Sequence, residues 1–290
     1  MKLSKIFQLA LAAAIVVAAA VVVFDGGVAG KEKTITILHT NDTHSQIFPI
    51  AADKGRWAGF GGYAKRAYLI DGIRAEGHGV LLFDSGDFSQ GTPYFNFFKG
   101  NIEVDAMGLM GYDAVTLGNH EFDNGVEELA RRVDRAEFPV LSANYDFSGS
   151  AMEGKTLPFK MFDVKGVKVG AFGLTINTRG MVDAANARGA VYKDPVACAQ
   201  WAADTLRALG ADVVVALTHL GERSTPFYIG DDSLAAKTSG IDLILGGHSH
   251  TDGISTVRNK EGGEVTIVQQ ASQGRLLGRV DITVKKKKKE

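Results

Sequence analysis

The sequence predicts an α/β protein, a sandwich of mixed β-sheets with helices on its faces. Three observations lead there. Short runs of Val, Ile, Leu and Phe alternate with segments of helical period. Glycine-turned apolar runs toward the end read as antiparallel strands. And five of the apolar runs empty into loops rich in Asp, Asn or His, the arrangement expected where strand ends share one edge of a sheet.

The elements follow in order. Thr34 to His39 is a β-rich run ending in the polar loop Thr40-Asn41-Asp42-Thr43-His44. Gly59, Gly61 and Gly62 mark a loop that opens a helix running to about Glu76. Gly79 to Phe83 reads as a buried strand running into Asp84-Ser85-Gly86-Asp87. A helix through Met107 to Met110 precedes the short Ala114-Val115 strand, which leads into Leu117-Gly118-Asn119-His120-Glu121-Phe122-Asp123. Val126, Leu129, Ala130 and Val133 then fall on one helical face. Asn119 and His120 are therefore expected on a tight turn between strand and helix, with Gly118 allowing unusual backbone angles. Val140-Leu141 is a further short strand, and Phe159 to Gly173 reads as a hairpin turning at Lys165-Gly166. Asp194 as N-cap, Pro195 at the first helical position and Gly210 past the end bound the next helix. Asp212 to Leu217 is a strand that delivers Thr218-His219, and Ile241 to Leu245 delivers Gly246-Gly247-His248-Ser249-His250. Val265 to Gln269 and Leu276 to Val284 are expected as closing antiparallel strands.

Composition sets the bounds. The chain has 290 residues, 45% of them hydrophobic, enough for one large core or two small ones. A formal net charge of −1 gives no reason to expect nucleic acid on the surface. A single cysteine, Cys198, excludes an internal disulfide and a thiolate metal cluster, and its helical setting makes it a small apolar residue. Lys2 and Lys5 precede an apolar run from Leu9 to Phe24, followed by small residues at Val28-Ala29-Gly30. That pattern reads as a secretory signal; residues 6–24, interrupted only by Gln8, also approach the ~20 needed to anchor in a bilayer. Either way the folded part is expected outside the cytoplasm, periplasmic or extracellular. The expected organisation is a signal or anchor at 1–30, one catalytic domain at 31–284 and a basic tail at 285–290, read as a solvated end.

The strand-end loops carry Asp42 and His44; Asp87; Asn119 and His120; His219; and His248 and His250. Five of the seven histidines belong to this set, His39 and His78 being left over. Imidazoles, two carboxylates and an amide exceed the needs of one metal and fit two adjacent divalent ions bridged by a carboxylate. Oxygen and imidazole donors without sulfur point to Mn, Zn, Fe or Co. Two such ions can acidify a water and clamp an in-line displacement at phosphorus. Each piece alone is an ordinary loop, and Asp123 alone an ordinary N-cap; the order and the strand-end placement make the case. A serine hydrolase is disfavoured because no G-x-S-x-G elbow is present, and Gly59 to Gly62 lacks the ending of a phosphate-binding P-loop.

Five motifs in order, Asp42-x-His44, Gly86-Asp87-x-x-x-Gly91, Gly118-Asn119-His120-Glu121, Thr218-His219 and Gly247-His248-x-His250, resemble those of the calcineurin-like metallophosphoesterases. Ile37 to Asp42, Gln90 to Pro93 and Asn119 to Asp123 are similar to the 5′-nucleotidase branch, and the likeness spans residues 34 to 284. The resemblance implies a four-layer αββα sandwich. It implies that Asp42, His44 and His250 hold one metal, that Asn119, His219 and His248 hold a second, and that Asp87 bridges them. It implies attack by a hydroxide shared between the metals, with His120, oriented by Asp123, stabilising the transition state or protonating the leaving oxygen. The substrate it implies is a small phosphate ester, a nucleotide first of all.

Nucleotidases of this branch usually carry a second domain for the base, and this chain stops at Glu290. The alternatives therefore are a cyclic-nucleotide or other phosphodiesterase, a sulfate-thiol hydrolase of the same branch, or a catalytic half served by a separate substrate-binding chain. Tyr94, Phe95, Phe97 and Phe98 either line a cleft or pack as a helix on the core.

Overall fold

The computed structural model describes residues 19–24 and 32–285. In chain order the strands are β1 (Ala19–Phe24), β2 (Glu32–Thr40), β3 (Gly79–Asp84), β4 (Ala114–Thr116), β5 (Val140–Leu141), β6 (Tyr145–Asp146) and β7 (Phe159–Val164). They continue with β8 (Val167–Thr175), β9 (Val191–Tyr192), β10 (Val213–His219), β11 (Leu243–Leu245), β12 (Asp252–Arg258), β13 (Glu264–Gln270) and β14 (Gly278–Lys285). The helices are α1 (Tyr63–Arg74), α2 (Pro93–Phe98), α3 (Asn101–Met110), α4 (Val126–Arg135), α5 (Pro195–Ala208) and α6 (Asp231–Lys237).

Two six-stranded mixed sheets form, ordered β1-β14-β2-β3-β4-β5 and β12-β13-β11-β10-β8-β7. They face each other, and helices cover both outer faces. The period-2 alternation of strand side chains decides this layering. Ile35, Ile37, Leu81 and Phe83 of the first sheet meet Val213, Val215 and Leu217 of the second in a buried inter-sheet core. The alternate residues Leu38 and Leu82 pack outward under α1, α3 and α4, against Ile70, Met107 and Leu129. Val214 and Ala216 pack outward under α5 and α6, against Ala203, Leu206 and Leu234. The four-layer αββα sandwich is thus the observed architecture.

The hairpin β7–β8 turns at Lys165-Gly166 as expected, and the Asp194 carboxylate caps α5 by accepting from Ala197 N at 2.7 Å. Cys198 is half-buried against the α5 cluster. The closing strands differ from expectation in their partners. β13 runs antiparallel to β12 but parallel to β11, while β14 joins the other sheet, antiparallel to β2. Strand β12, whose residues are largely exposed, carries no apolar run, which is why the sequence did not mark it.

Part of the apolar N-terminal run, β1, lies parallel to β14 from Ala19↔Arg279 to Phe24↔Val284. The rest of the signal or anchor reading, and tail residues 286–290, fall outside the described residues. Among the described residues no helix is long and apolar enough to cross a membrane.

Candidate metal centre

The parallel strands β2, β3, β4, β10 and β11 all end at one edge of the sandwich, and every residue expected at a site lies in the loop that follows one of them or, as with His219, at the strand's last position. The structure brings Asp42, His44, Asp87, Asn119, His120, His219, His248 and His250 together there. Three groups have donor atoms within 4.8 Å of one another: Asp42, His44 and His250; Asp87, His219 and His248; and His44, Asp87 and His120.

Within the first group, His250 Nε2 lies 3.2 Å from Asp42 Oδ1 and 3.0 Å from His44 Nε2. Within the second, His219 Nε2 lies 3.0 Å from Asp87 Oδ2, and His248 Nδ1 lies 3.0 Å from Asn119 Oδ1. Asp87 belongs to the second group and, through the third, also meets His44 of the first. His219 donates Nδ1–H to Ser85 O at 2.7 Å, and its buried Nε2, which makes no aligned hydrogen bond, faces the Asp87 carboxylate. Complete burial pushes this imidazole's pKa down, yet the charges of Asp87 and Asp42 carry it up to about 10. A pocket that grips a proton that tightly is built for positive charge, and a divalent ion satisfies lone pairs and carboxylates together. The donor set therefore fits a pair of divalent metals.

Five of these side chains sit on left-handed backbone, which non-glycine residues seldom adopt: Asp42 (φ 49°), His44 (47°), Asp87 (54°), His248 (76°) and His250 (55°). Such conformations cost of order 1–3 kcal/mol each and persist where surroundings enforce them. The enforcing contacts are visible. Asn41 Nδ2 donates to Asp42 Oδ2 at 2.6 Å and to Ala271 O at 2.9 Å, and its Oδ1 accepts from Gln270 N at 2.8 Å. Gln269 spans the His248–His250 loop, donating to Gly247 O and accepting from Thr251 N, both at 2.8 Å.

His120 opens a 3₁₀ turn, His120–Phe122, and its Nδ1 lies 2.7 Å from Asp123 Oδ2. Burial pulls the imidazole's pKa down, but the bond to Asp123 and the charges of Asp87 and Asp123 outweigh it, so it stands above the ordinary value. Asp123 serves His120 rather than capping a helix; the N-cap of α4 is Gly125.

The role of Gly118 differs from expectation. Its φ lies outside the left-handed region, and what excludes a side chain is space: a Cβ there would come within 2.1 Å of Asp87 Oδ1. It is Gly86 that takes positive φ, at 87°, with its own Cβ position 2.4 Å from Gly118 N.

Sequence reasoning assigned no role to Glu121, Arg132, Asn41 or Gln269. Glu121 is fully buried, and its carboxylate accepts from the backbone N–H of Gly118, Asp87 and Ser89 at 2.6, 2.8 and 3.1 Å. Buried Arg132 donates to Ser89 Oγ at 2.7 Å and to Glu121 O. The available signal was Glu121's place directly after His120, and an arginine at 132 beside the apolar face of a helix. Of the leftover histidines, His39 is buried between the sheets with its ring over Gly278. The aromatics at 94–98 form α2, with Phe95 buried and Phe97 and Phe98 exposed.

Comparison with known proteins agrees with this geometry. The model of the calcineurin-like phosphoesterase family matches residues 35–252. Snake venom 5′-nucleotidase of Gloydius brevicauda is 36% identical over 277 residues, covering 88% of this chain and 46% of the relative. The chain spans about half the length of the curated relatives first matched, 46–50% of three snake venom enzymes. Among solved structures, the 5′-nucleotidase precursor from Thermus thermophilus superposes with a TM-score of 0.77 at 35% identity, over 86% of this chain and 51% of that one. The calcineurin-like phosphoesterase YfkN from Bacillus subtilis superposes with a TM-score of 0.72 at 29% identity, over 89% and 87%. With the family model covering most of the sandwich and every strand-end loop that carries the site, the chain belongs to the calcineurin-like phosphoesterase family.

Proposed function

We propose that this chain is an exported two-metal phosphoesterase that hydrolyses small phosphate esters, 5′-nucleotides foremost. The observation that carries the reading is Asp87 grouped with His219 and His248 on one side and with His44 on the other, with the His120–Asp123 pair beside them. The 5′-nucleotidases among its relatives favour a nucleotide as the ester, and the apolar N-terminal run supports export.

Asp42, His44 and His250 would hold one ion, and Asn119, His219 and His248 the other, with Asp87 shared. The ions are Mn, Zn, Fe or Co by donor type. When bound, they supply an acidified water as nucleophile and positive charge against the phosphoryl oxygens. The protein's own residues do the rest. Ser85 O fixes the His219 tautomer so that Nε2 faces inward. Asn41 and Gln269 hold the two ligand loops in their strained backbone. Asp123 keeps the proton of His120 Nδ1 and leaves Nε2, on a ring about one-third exposed, to face the cleft and hand a proton to the leaving oxygen. Geometry alone also allows His120 as a ligand, since it shares a group with His44 and Asp87. The proton role is preferred because both ion sites are complete without it.

The test is phosphate release from AMP by the Mn-loaded full chain, beside a cyclic nucleotide and bis(p-nitrophenyl) phosphate. Release from AMP at an enzyme-like rate supports the nucleotidase reading. Turnover of the diesters alone moves the assignment to a phosphodiesterase, and turnover of none of them overturns it.

A further inference from the structure

We propose that Glu121, braced by Arg132, is a positioning residue that sets the distance between Asp87 and the turn carrying Asn119 and His120. The proposal rests on the two-metal reading, since its consequence is the spacing of the two ion sites.

The three N–H groups on the Glu121 carboxylate come from two different loops. Gly118 belongs to the loop after β4; Asp87 and Ser89 belong to the loop after β3. One fully buried carboxylate therefore fastens two neighbouring loops by their backbones. The loops touch there, as the 2.4 Å between the Gly86 Cβ position and Gly118 N shows, so no slack separates the fastening from the ligands. A further bond carries the constraint into the site: His120 N donates to Asp87 Oδ1 at 2.8 Å. That bond takes one oxygen of Asp87 and turns Oδ2 toward His219 Nε2, 3.0 Å away. Arg132, a residue only 1% exposed, closes the arrangement from the α4 side, its guanidinium holding Glu121 O and Ser89 Oγ.

Three donors converging on one side chain need an acceptor with two oxygens, and a carboxylate is the side chain that provides it without adding a donor of its own. Glutamine has the same shape but must turn an NH₂ toward one of those N–H groups. Glu121→Gln thus perturbs the fastening while keeping the volume, and the loops it releases are those that carry Asp87 and Asn119.

The experiment compares the full-length wild type with Glu121→Gln and Arg132→Met, each loaded with Mn²⁺. Arg132→Met keeps the apolar stem and removes the guanidinium; it leaves the buried carboxylates of Glu121 and Glu103 without this counter-charge, so a lower melting temperature is expected with it. The readouts are Mn²⁺ affinity and stoichiometry by equilibrium dialysis, the exchange-coupled EPR signal of a bridged pair, and kcat and KM for AMP or p-nitrophenyl phosphate. Folding is judged by circular dichroism and a cooperative melt. In Glu121→Gln we expect the weaker Mn²⁺ site to lose affinity by about 10–100-fold. The coupled signal should fade, and kcat should fall with KM little changed. Arg132→Met should move the same way by less. A merely structural plug would lower the melting temperature and leave the coupled signal of the folded fraction intact. Folded variants that keep wild-type Mn²⁺ affinity and coupling overturn the proposal, and so does failure of both variants to fold. If only Arg132→Met folds, it decides alone. A wild type that binds no Mn²⁺ pair refutes the two-metal reading itself, a result seen without any variant.

Discussion

His120 is where the division of labour between holding metal and moving protons is tested. Its Nδ1 is taken by Asp123 at 2.7 Å, and the two proposed ion sites have their donors without it. His120→Ala should therefore leave two metals bound and cut turnover by about 10²–10⁴-fold, the usual worth of general acid–base help. Asp87→Ala should lose metal as well as activity. Metal analysis of both purified variants separates the roles, and loss of an ion from His120→Ala would make His120 a ligand. His39 poses a different test. It is buried between the sheets, neither ring nitrogen has a hydrogen-bond partner, and burial lowers its pKa to about 3. The unfolded chain takes up a proton near pH 6.5 and the folded chain only near 3, so between those values the unfolded state binds more protons. Stability from this residue is full above pH 6.5 and is lost as pH falls, by about 1.4 kcal/mol per pH unit for one proton. Urea melts of wild type and His39→Leu at about pH 7, 6 and 5 should show the variant gaining on the wild type as pH drops. A gap that stays constant with pH would mean that the ring takes up its proton as readily in the folded chain as in the unfolded one.

At the scale of elements, the site is a property of strand-end loops, and the loops were partly legible. The clustered side chains could be read because Asp, Asn and His directly after apolar strands are conspicuous. The bracing could not, because Glu121 reaches across to the backbone of the loop after β3 and Arg132 reaches from α4 to Ser89 Oγ and Glu121 O, and such partners are set by tertiary contact. Gly118 shows the same limit. Its presence was readable and its reason was not, since crowding against Asp87 depends on how closely two strands' loops approach. That crowding makes a prediction. Gly118→Ala introduces a methyl at a point 2.1 Å from Asp87 Oδ1, so Asp87 must move. The backbone angles of Gly118 suit alanine, but the methyl also meets Asp87 N at 2.6 Å, so the variant should lose Mn²⁺ affinity and most of its turnover along with some melting temperature. Gly86→Ala, which meets only the backbone of Leu117 and Gly118 and needs positive φ besides, should lose more in the melt for the same loss of metal affinity. Equal loss of metal affinity and melting temperature in both variants would erase the distinction.

Across the whole molecule, the layering was legible from period-2 strands that are apolar on both faces, whereas the partners of the late strands were not. Nothing local tells β14 to join β2 while β13 joins β11 and β12; β13 and β14 are both apolar runs, and sheet membership is decided by what the inter-sheet core still lacks. The resulting architecture has a consequence for stability. Asp42, His44, Asp87 and Asn119 come from loops of the first sheet, and His219, His248 and His250 from the strand ends of the second. Each proposed ion therefore ties one sheet to the other at a single edge, where carboxylates and lone pairs otherwise face one another. A ligand that binds only the folded state stabilises it by RT ln(1 + [L]/Kd), about 2.7 kcal/mol at a hundredfold excess over Kd. For a protein of this size that corresponds to a melting shift of about 5–10 °C. Melting the chain with excess Mn²⁺, and again after chelation, should show a shift of this order that grows with the logarithm of free metal. In Asp87→Ala the dependence should shrink, because the side chain proposed to bridge the two ions is gone. A melting temperature indifferent to chelator and to Mn²⁺ would mean that the two sheets are not joined through metal at this edge, and the ligand assignment would fall with it.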